Sequence, residues 1–165
     1  PLVIEPISTE RILLVAHKKY GLVPEEEQEH NSPDHPYLLD PEKLQNLPFI
    51  APPPANGMYR TFQRMIGLYG IHPKSSIVID MMTTGLRLTK EGLGVQFISA
   101  AILISISALE RQNTLDYCIL PDLPDSRPCS VAWREETEFL PLIHETVEIL
   151  KNEVVPKQLY TQVTP

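Results

Sequence analysis

The sequence predicts an α/β fold built on a mainly parallel sheet. Short apolar runs alternate with helical patterns, and 17 prolines and seven glycines separate them. A strand, a turn and a helix follow one another twice in succession, which favours parallel strands because each helix must cross back over the sheet. With 42% apolar residues among 165, the chain is long enough to bury a core.

The first strand–turn–helix unit follows an isolated apolar strand. The run Ile12–Val15 is continuously apolar and predicts a strand buried on both faces. Pro48–Ala51 predicts the next strand, which ends at three prolines. Asn56 caps the helix that follows and Gly70 ends it. The apolar positions of this helix recur at helical spacing: Met58, Phe62, Met65, Ile66 and Tyr69.

The second unit repeats the arrangement. Ser76–Met81 predicts a strand, and Thr83 or Thr84 caps a short helix that runs through Lys90. Two glycines then break the chain before Val95–Ile98, which predicts another strand.

The C-terminal part predicts two more strands and a final helix. Leu115–Leu120 and Cys129–Arg134 are predicted to pair antiparallel, and a simple hairpin register would place Cys118 opposite Cys129. Packing in the core is the more ordinary role for these cysteines, and a redox switch is the alternative. Thr137 caps the last helix.

The segment Glu25–Pro41 is acidic and broken by prolines, which predicts an exposed connection. Its residues His30, Asp34 and His35, together with the neighbouring glutamates, are potential metal ligands. Their spacing matches no known metal-binding motif, so a solvated loop is the simpler interpretation.

Charge and composition exclude several functions. The net charge of -7 repels phosphate backbones, and the apolar stretches are too short to span a membrane. Two cysteines are too few for a disulfide framework, which fits a reducing compartment. The sequence has no nucleophile elbow, HExxH, Walker loop or GxGxxG opening a helix, so it predicts no enzyme, no catalytic residue, no metal and no cofactor.

Two segments are candidates for binding a ligand. In the turn Pro52–Met58, backbone N–H groups and the helix dipole favour a carboxylate or phosphate, and Gly57 allows close approach. Thr83 and Thr84 begin the next helix. Because both segments follow successive strands, we expect them to converge at one edge of the sheet. The alternative is that Asn56 and the threonines only cap their helices.

Several motifs in order resemble one family. The most specific is Glu91–Ile98 (EGLGVQFI), and Asn56–Arg60 (NGMYR), Gly70–Lys74 (GIHPK) and Glu10–Val15 (ERILLV) precede it at matching spacing. Together with the VAWRE piece and the closing helix, they resemble the effector-binding domain of LysR-type transcriptional regulators. The resemblance covers nearly the whole chain. The acidic insertion Glu25–Asp40 departs from the family pattern, as does Ser99, where the family usually has proline.

The resemblance implies a type II periplasmic-binding-protein-like fold, mainly its second lobe with the edges of the first. Residues 10–134 would form the second lobe. Residues 1–9 and 135–165 would be remnants of the first lobe and the C-terminal helix. The DNA-binding domain, a winged helix-turn-helix, would lie outside this chain.

The implied function is that of a cytoplasmic sensor in a bacterial regulator. The domain would bind a small anionic effector and would control promoter DNA only through the missing N-terminal domain. A homodimer or higher homo-oligomer is expected. The expected effector contacts are Pro53, Ala55, Asn56, Gly57, Met58, Thr83, Thr84 and Ser99.

Two other functions remain open on the same fold, and one surface is expected to bind a partner subunit. An extracytoplasmic solute-binding receptor is the first alternative, and an enzyme of the prephenate dehydratase type is the second. We expect self-association through the helix between Gly57 and Gly70, because its apolar positions cover more of the helix than one sheet can bury. The alternative is that all of them pack inward.

Overall fold

The computed structural model describes residues 1–105, 114–121 and 126–154. The chain forms two compact units. One consists of Pro1–Arg11 and Ser126–Pro165, and the other of Ile12–Asp125. Within the described residues, no helix is both long and apolar enough to cross a membrane.

The strands and helices alternate for most of the chain. The strands are β1 (Leu2–His17), β2 (Tyr37–Leu38), β3 (Pro48–Ala51), β4 (Ser75–Val78), β5 (Gln96–Ser99), β6 (Leu115–Ile119) and β7 (Ser126–Arg134). The helices are α1 (Tyr59–Leu68), α2 (Met82–Lys90), α3 (Ala100–Ser105) and α4 (Leu140–Ile149), and a π-helical turn at Leu150–Val154 extends α4.

In the unit Ile12–Asp125, the second half of β1 lies between β5 and β6 and runs antiparallel to both. Strand β2 joins the sheet beyond β6, in parallel with it. Strands β3 and β4 pair in parallel, and a parallel bridge between Phe49 and Val95 connects β3 to the start of β5. All strands of this unit except β1 therefore run in one direction, which confirms a mainly parallel sheet.

The core of this unit forms around the predicted apolar runs. Ile12–Val15 is buried throughout, as a continuous apolar strand requires. The rings of Phe49, Phe62 and Phe97 bring β3, α1 and β5 together with centroid distances of 6.0 to 6.4 Å. Such edge-on and tilted contacts stabilise a core beyond the area they bury.

Helix α1 turns its apolar side toward this core. Met58, Phe62 and Met65 are at most 5% exposed, and Ile66 and Tyr69 pack against the same cluster while partly buried. The expectation that these positions leave an apolar patch for a partner is therefore wrong. The chain itself buries three of the five side chains and partly buries the other two.

The acidic segment is more than an exposed connection, which corrects the prediction from its sequence. It contributes β2 to the sheet, and Leu39 is fully buried. The side chain of Asn31 donates to the backbone oxygen of Tyr117 and accepts from its N–H, both at 2.8 Å. Side-chain hydrogen bonds of this kind require no apolar pattern in the sequence, so the sequence predicts a loop for this segment.

The other unit is a two-stranded ribbon packed against a helix. The first half of β1 pairs antiparallel with β7, and a bulge interrupts the pairing between Pro6 and Ser8. The ring of Trp133 lies edge-on to His144 of α4, with 6.0 Å between centroids. The Thr137 hydroxyl accepts from the N–H of Phe139 at 3.3 Å, just before α4 begins. The predicted cap at Thr137 is nevertheless wrong, because the N-cap residue is Phe139 and no side chain among the described residues caps the helix there.

The predicted hairpin of the last two strands is wrong. Strand β6 pairs with the second half of β1 and β7 with the first half, so Cys118 lies opposite Leu14 and Cys129 opposite Ser8. Both thiols are free. The long strand β1 pairs with β6 along one half and with β7 along the other. The sequences of β6 and β7 do not reveal this pairing.

Candidate functional site

The two predicted binding segments lie at one edge of the sheet. Strands β3 and β4 pair in register from Pro48 opposite Ser75 to Ala51 opposite Val78. Because the strands are parallel, the turn after β3 and the segment after β4 leave the sheet on the same side. We call this the carboxyl edge; it comprises residues 52–58 and 79–84.

The turn after β3 is held by its own hydrogen bonds. The N–H of Asn56 donates to the Pro53 carbonyl, and the N–H of Tyr59 donates to the Asn56 carbonyl, both at 2.9 Å. The Asn56 Oδ1 accepts from the N–H of Met58 at 2.9 Å. Two amides of the predicted ligand-binding turn, those of Asn56 and Met58, are thus used by the turn itself. The predicted cap at Asn56 is wrong, because the N-cap residue of α1 is Met58 and no side chain among the described residues caps it. Ala55 and Gly57 are exposed, whereas the Met58 side chain is buried in the core.

A side-chain bridge joins the two halves of the carboxyl edge. The Asn56 Nδ2 donates to the backbone oxygen of Asp80 at 3.1 Å and to its carboxylate Oδ1 at 3.3 Å. Sequence reasoning missed Asp80. The sequence predicts a strand over Ser76–Met81 that includes Asp80, whereas β4 ends at Val78. Asp80 therefore lies just past the carboxyl end of the strand, where ligand-binding groups collect in open α/β sheets.

Thr83 and Thr84 are exposed and lie inside the first turn of α2. Either threonine was expected to cap this helix, and that expectation is wrong. The N-cap position is Met81, and no side chain among the described residues caps the helix there. The first amides of a helix have no partner within it, so this end of α2 presents N–H groups and the positive end of the dipole.

Ser99 ends β5 and is 1% exposed. Its hydroxyl accepts from the N–H of Ala101 at 3.2 Å, at the start of α3. Because β5 runs parallel to β3, Ser99 also lies toward the carboxyl ends of the strands. Unlike Thr83 and Thr84, it is not accessible to solvent.

The predicted metal ligands do not assemble. In residues 1–105, 114–121 and 126–154, no group of three or more His, Cys, Asp or Glu side chains has the geometry of a metal site.

Comparison with known proteins identifies one family. The family model described as LysR substrate binding domain matches residues 1–155. No curated protein sequence matches the chain.

Solved structures share the fold at low sequence identity. The regulatory domain of CcmR from Synechocystis PCC6803 in complex with 2-PG superposes with a TM-score of 0.71 at 13% identity, covering 92% of this chain and 68% of that one. The effector-binding domain of QuiR with shikimate gives 0.64 at 12% identity, covering 88% and 63%. Full-length CbnR with its target DNA gives 0.63 at 16% identity, covering 92% and 49%. The chain thus spans between about half and two thirds of these structures.

Proposed function

Because the chain belongs to the LysR substrate-binding domain family, we propose that it is the ligand-sensing part of a bacterial transcriptional regulator. Its fold is type II periplasmic-binding-protein-like, and members of this family are regulatory domains that sense small molecules. In our proposal the domain catalyses no reaction, acts in the cytoplasm and controls promoter DNA through a separate winged helix-turn-helix.

The effector is proposed to bind at the carboxyl edge. The observation that carries this proposal is the bridge from Asn56 to Asp80, which holds the turn after β3 beside the start of α2. Exposed residues of both segments then lie at the same edge of the sheet. Pro53, Ala55 and Gly57 on the turn, and Thr83 and Thr84 on α2, are the proposed contacts. Met58 and Ser99 are proposed to support them from buried positions.

The N-terminal end of α2 favours an anionic effector. Its first amides lack a side-chain cap among the described residues, and its first turn carries no acidic residue. Both features favour a carboxylate or phosphate at that position. The exposed carboxylate of Asp80 opposes an anion, so we place the effector's charge at the amides of α2 and its uncharged part toward Asn56.

Titration with a matched pair of small molecules tests this proposal. Benzoate and the uncharged benzyl alcohol are added to the isotope-labelled chain, and amide NMR shifts are followed. We expect benzoate to shift the signals of Thr83 and Thr84, and Thr84→Val to weaken its binding about fivefold by removing a hydroxyl hydrogen bond. The matched control is Thr146→Val, which changes an exposed helical threonine on α4.

Two results would contradict the proposal. One is equal binding of benzyl alcohol and benzoate, which would exclude an anion preference. The other is an equal loss of affinity in the Thr84 and Thr146 variants, which would show that binding does not use the carboxyl edge.

We also propose that the domain forms a homo-oligomer, and that β4 rather than the apolar side of α1 provides the contact. All four residues of β4 are exposed, and its Ile77 and Val78 are 37% and 59% exposed. Exposed edge strands with apolar side chains commonly pair with another chain. Sedimentation should show self-association that Val78→Lys abolishes, whereas Lys74→Glu just before the strand should leave it intact. A monomer at all concentrations would contradict the proposal.

A further inference from the structure

A cavity of about 370 Å³ opens on the acidic segment and shares no residue with the carboxyl edge. We propose that this cavity is a second ligand site, and that it takes a small organic cation with an apolar body. The proposal does not depend on the function assigned above. The volume of the cavity lies within the range of small-molecule sites, which is roughly 300–1,000 Å³.

The walls of the cavity are fixed before any ligand binds. Asn31, on one wall, is tied to the backbone of Tyr117 by the two 2.8 Å hydrogen bonds described above. Gln28 donates to the buried carboxylate of Asp116 at 2.8 Å and to the Val23 carbonyl at 3.1 Å. On the other wall, β2 is paired with β6. A preformed site loses little conformational entropy on binding, which favours affinity for a small molecule.

The cavity lining includes polar residues, one of them a carboxylate, and we call these residues its polar side. Glu27, His30 and His35 line it. Glu27 supplies a negative charge, and the imidazoles supply hydrogen-bonding groups. Further acidic residues of the same segment add to the negative potential around the opening: Glu25, Glu26, Glu29 and Asp34. This charge distribution attracts a cation and repels an anion.

The lining also includes apolar residues, which we call the apolar side of the cavity. Pro36, Tyr37 and Leu38 form it, and Leu38 is 58% exposed although it belongs to a paired strand. Lys43 already places its ammonium 5.9 Å from the Tyr37 ring centroid. We therefore assign the ligand's charge to Glu27 and its apolar body to Leu38 and Pro36.

The chemistry of the ligand follows from these two sides. A metal ion would use only the polar side, and among the described residues no set of three or more ligating side chains suits one. An organic ammonium group on a short apolar or aromatic body uses both sides. Its ammonium would donate to the carboxylate of Glu27, and its body would cover the exposed Leu38.

Benzylamine is a suitable probe, and benzoate is its partner of opposite charge. In titrations of the complete chain followed by amide NMR shifts, we expect benzylamine to bind saturably, with a dissociation constant of about a millimolar or below. Its shifts should centre on residues 27–38. Glu27→Gln should weaken binding about tenfold by removing the charge-assisted contact. The matched control is Glu26→Gln, which changes an exposed neighbour in the same short helical turn.

A second pair of variants tests the apolar side. Leu38→Ala should weaken benzylamine binding about fivefold, whereas Leu93→Ala, at an exposed leucine that does not line the cavity, should not. Equal effects of Glu27→Gln and Glu26→Gln would overturn the proposal, since a diffuse acidic field would then explain the binding. Benzoate binding at residues 27–38 as tightly as benzylamine, or the absence of saturable benzylamine binding, would also overturn it.

Discussion

Asn56 both closes its own turn and connects that turn to the segment after the next strand. Its Oδ1 accepts from the N–H of Met58, and its Nδ2 reaches Asp80 after β4. The sequence predicts that Asn56 bonds a nearby backbone amide, which Asn commonly does in turns. It gives no indication of the bond to Asp80, because this partner lies 24 residues further along the chain.

Removing the Asn56 amide should destabilise the turn. We expect Asn56→Ala to lower the free energy of unfolding by about 1–2 kcal/mol, because the bond from the Met58 N–H and the connecting bond to Asp80 are lost together. Gln63→Ala, at an exposed position of α1, should change it by less than about 0.5 kcal/mol. Urea denaturation measures both. Equal values for the two variants would show that the bonds of Asn56 contribute nothing to stability.

Two glycines should respond to alanine in opposite directions. A Cβ on Gly94 would lie 3.0 Å from the Pro48 carbonyl oxygen, which already accepts from Val95. We expect Gly94→Ala to cost about 1–3 kcal/mol of stability. A Cβ on Gly67 in α1 meets nothing within 4 Å, so Gly67→Ala should stabilise by about 0.5–1 kcal/mol. Thermal unfolding distinguishes the two variants. A Gly94→Ala variant as stable as the unaltered chain would contradict the close approach of β3 to Gly94.

The two thiols should differ sharply in reactivity. Burial, with the carboxylate of Asp116 adding to it, raises the pKa of the Cys118 thiol well above its ordinary value, whereas Cys129 is partly exposed. Because the thiolate is the reactive form, one thiol per chain should react rapidly with an aromatic disulfide at pH 8, and Cys129→Ser should remove that phase. Rapid reaction in the Cys129→Ser variant would contradict a buried Cys118.

The same shift makes stability depend on pH. A thiol whose pKa is raised by folding remains protonated in the native state while the unfolded thiol ionises. Cys118 therefore favours the folded state fully below the ordinary thiol pKa, and this contribution falls as pH rises through and above that value. Cys118→Ala should flatten the pH dependence of the unfolding free energy in the alkaline range, as denaturation at several pH values will measure.

At the scale of elements, apolar patterns predict those strands whose side chains are buried in the core. Pro48–Ala51 is β3 with the same bounds, and Ile12–Val15 lies in the second half of β1. The first half of β1 was missed because its residues are half-buried or exposed and a bulge interrupts their alternation. Strand β2 was missed because side-chain amides hold its segment.

Of the candidate site, the sequence predicts the shared edge of the sheet but not the position of the threonines within α2. The order of strands places residues 52–58 and 83–84 at one edge, and the sequence contains that order. The start of α2 at Met82 follows from tertiary packing and lacks a polar cap among the described residues. No local pattern could therefore show that the threonines lie inside the helix.

The acidic segment depends on Asn31 for its attachment to β6. Asn31→Ala removes both bonds to the Tyr117 backbone, so the chain around β2 should open more often. We expect amide hydrogen exchange at Leu39 and Tyr117 to accelerate, and stability to fall by about 1–3 kcal/mol. Asn152→Ala, which removes a surface amide on the π-helical turn, is the control. Unchanged exchange at Leu39 would show that β2 holds the segment without Asn31.

At the scale of the whole molecule, net charge decides how this chain meets DNA. Fourteen basic and 21 acidic residues give -7, and most protein–DNA affinity comes from neutralising phosphates with Lys and Arg. If the domain regulates promoters, as we propose, its contribution must be a bias between conformations of a longer protein, limited by the effector's differential affinity for them. We expect the isolated chain not to retard promoter DNA in gels at physiological salt, with or without benzoate. A shift that appears at low salt and disappears as salt rises would reveal a basic contact surface, and would mean that this domain binds phosphates itself.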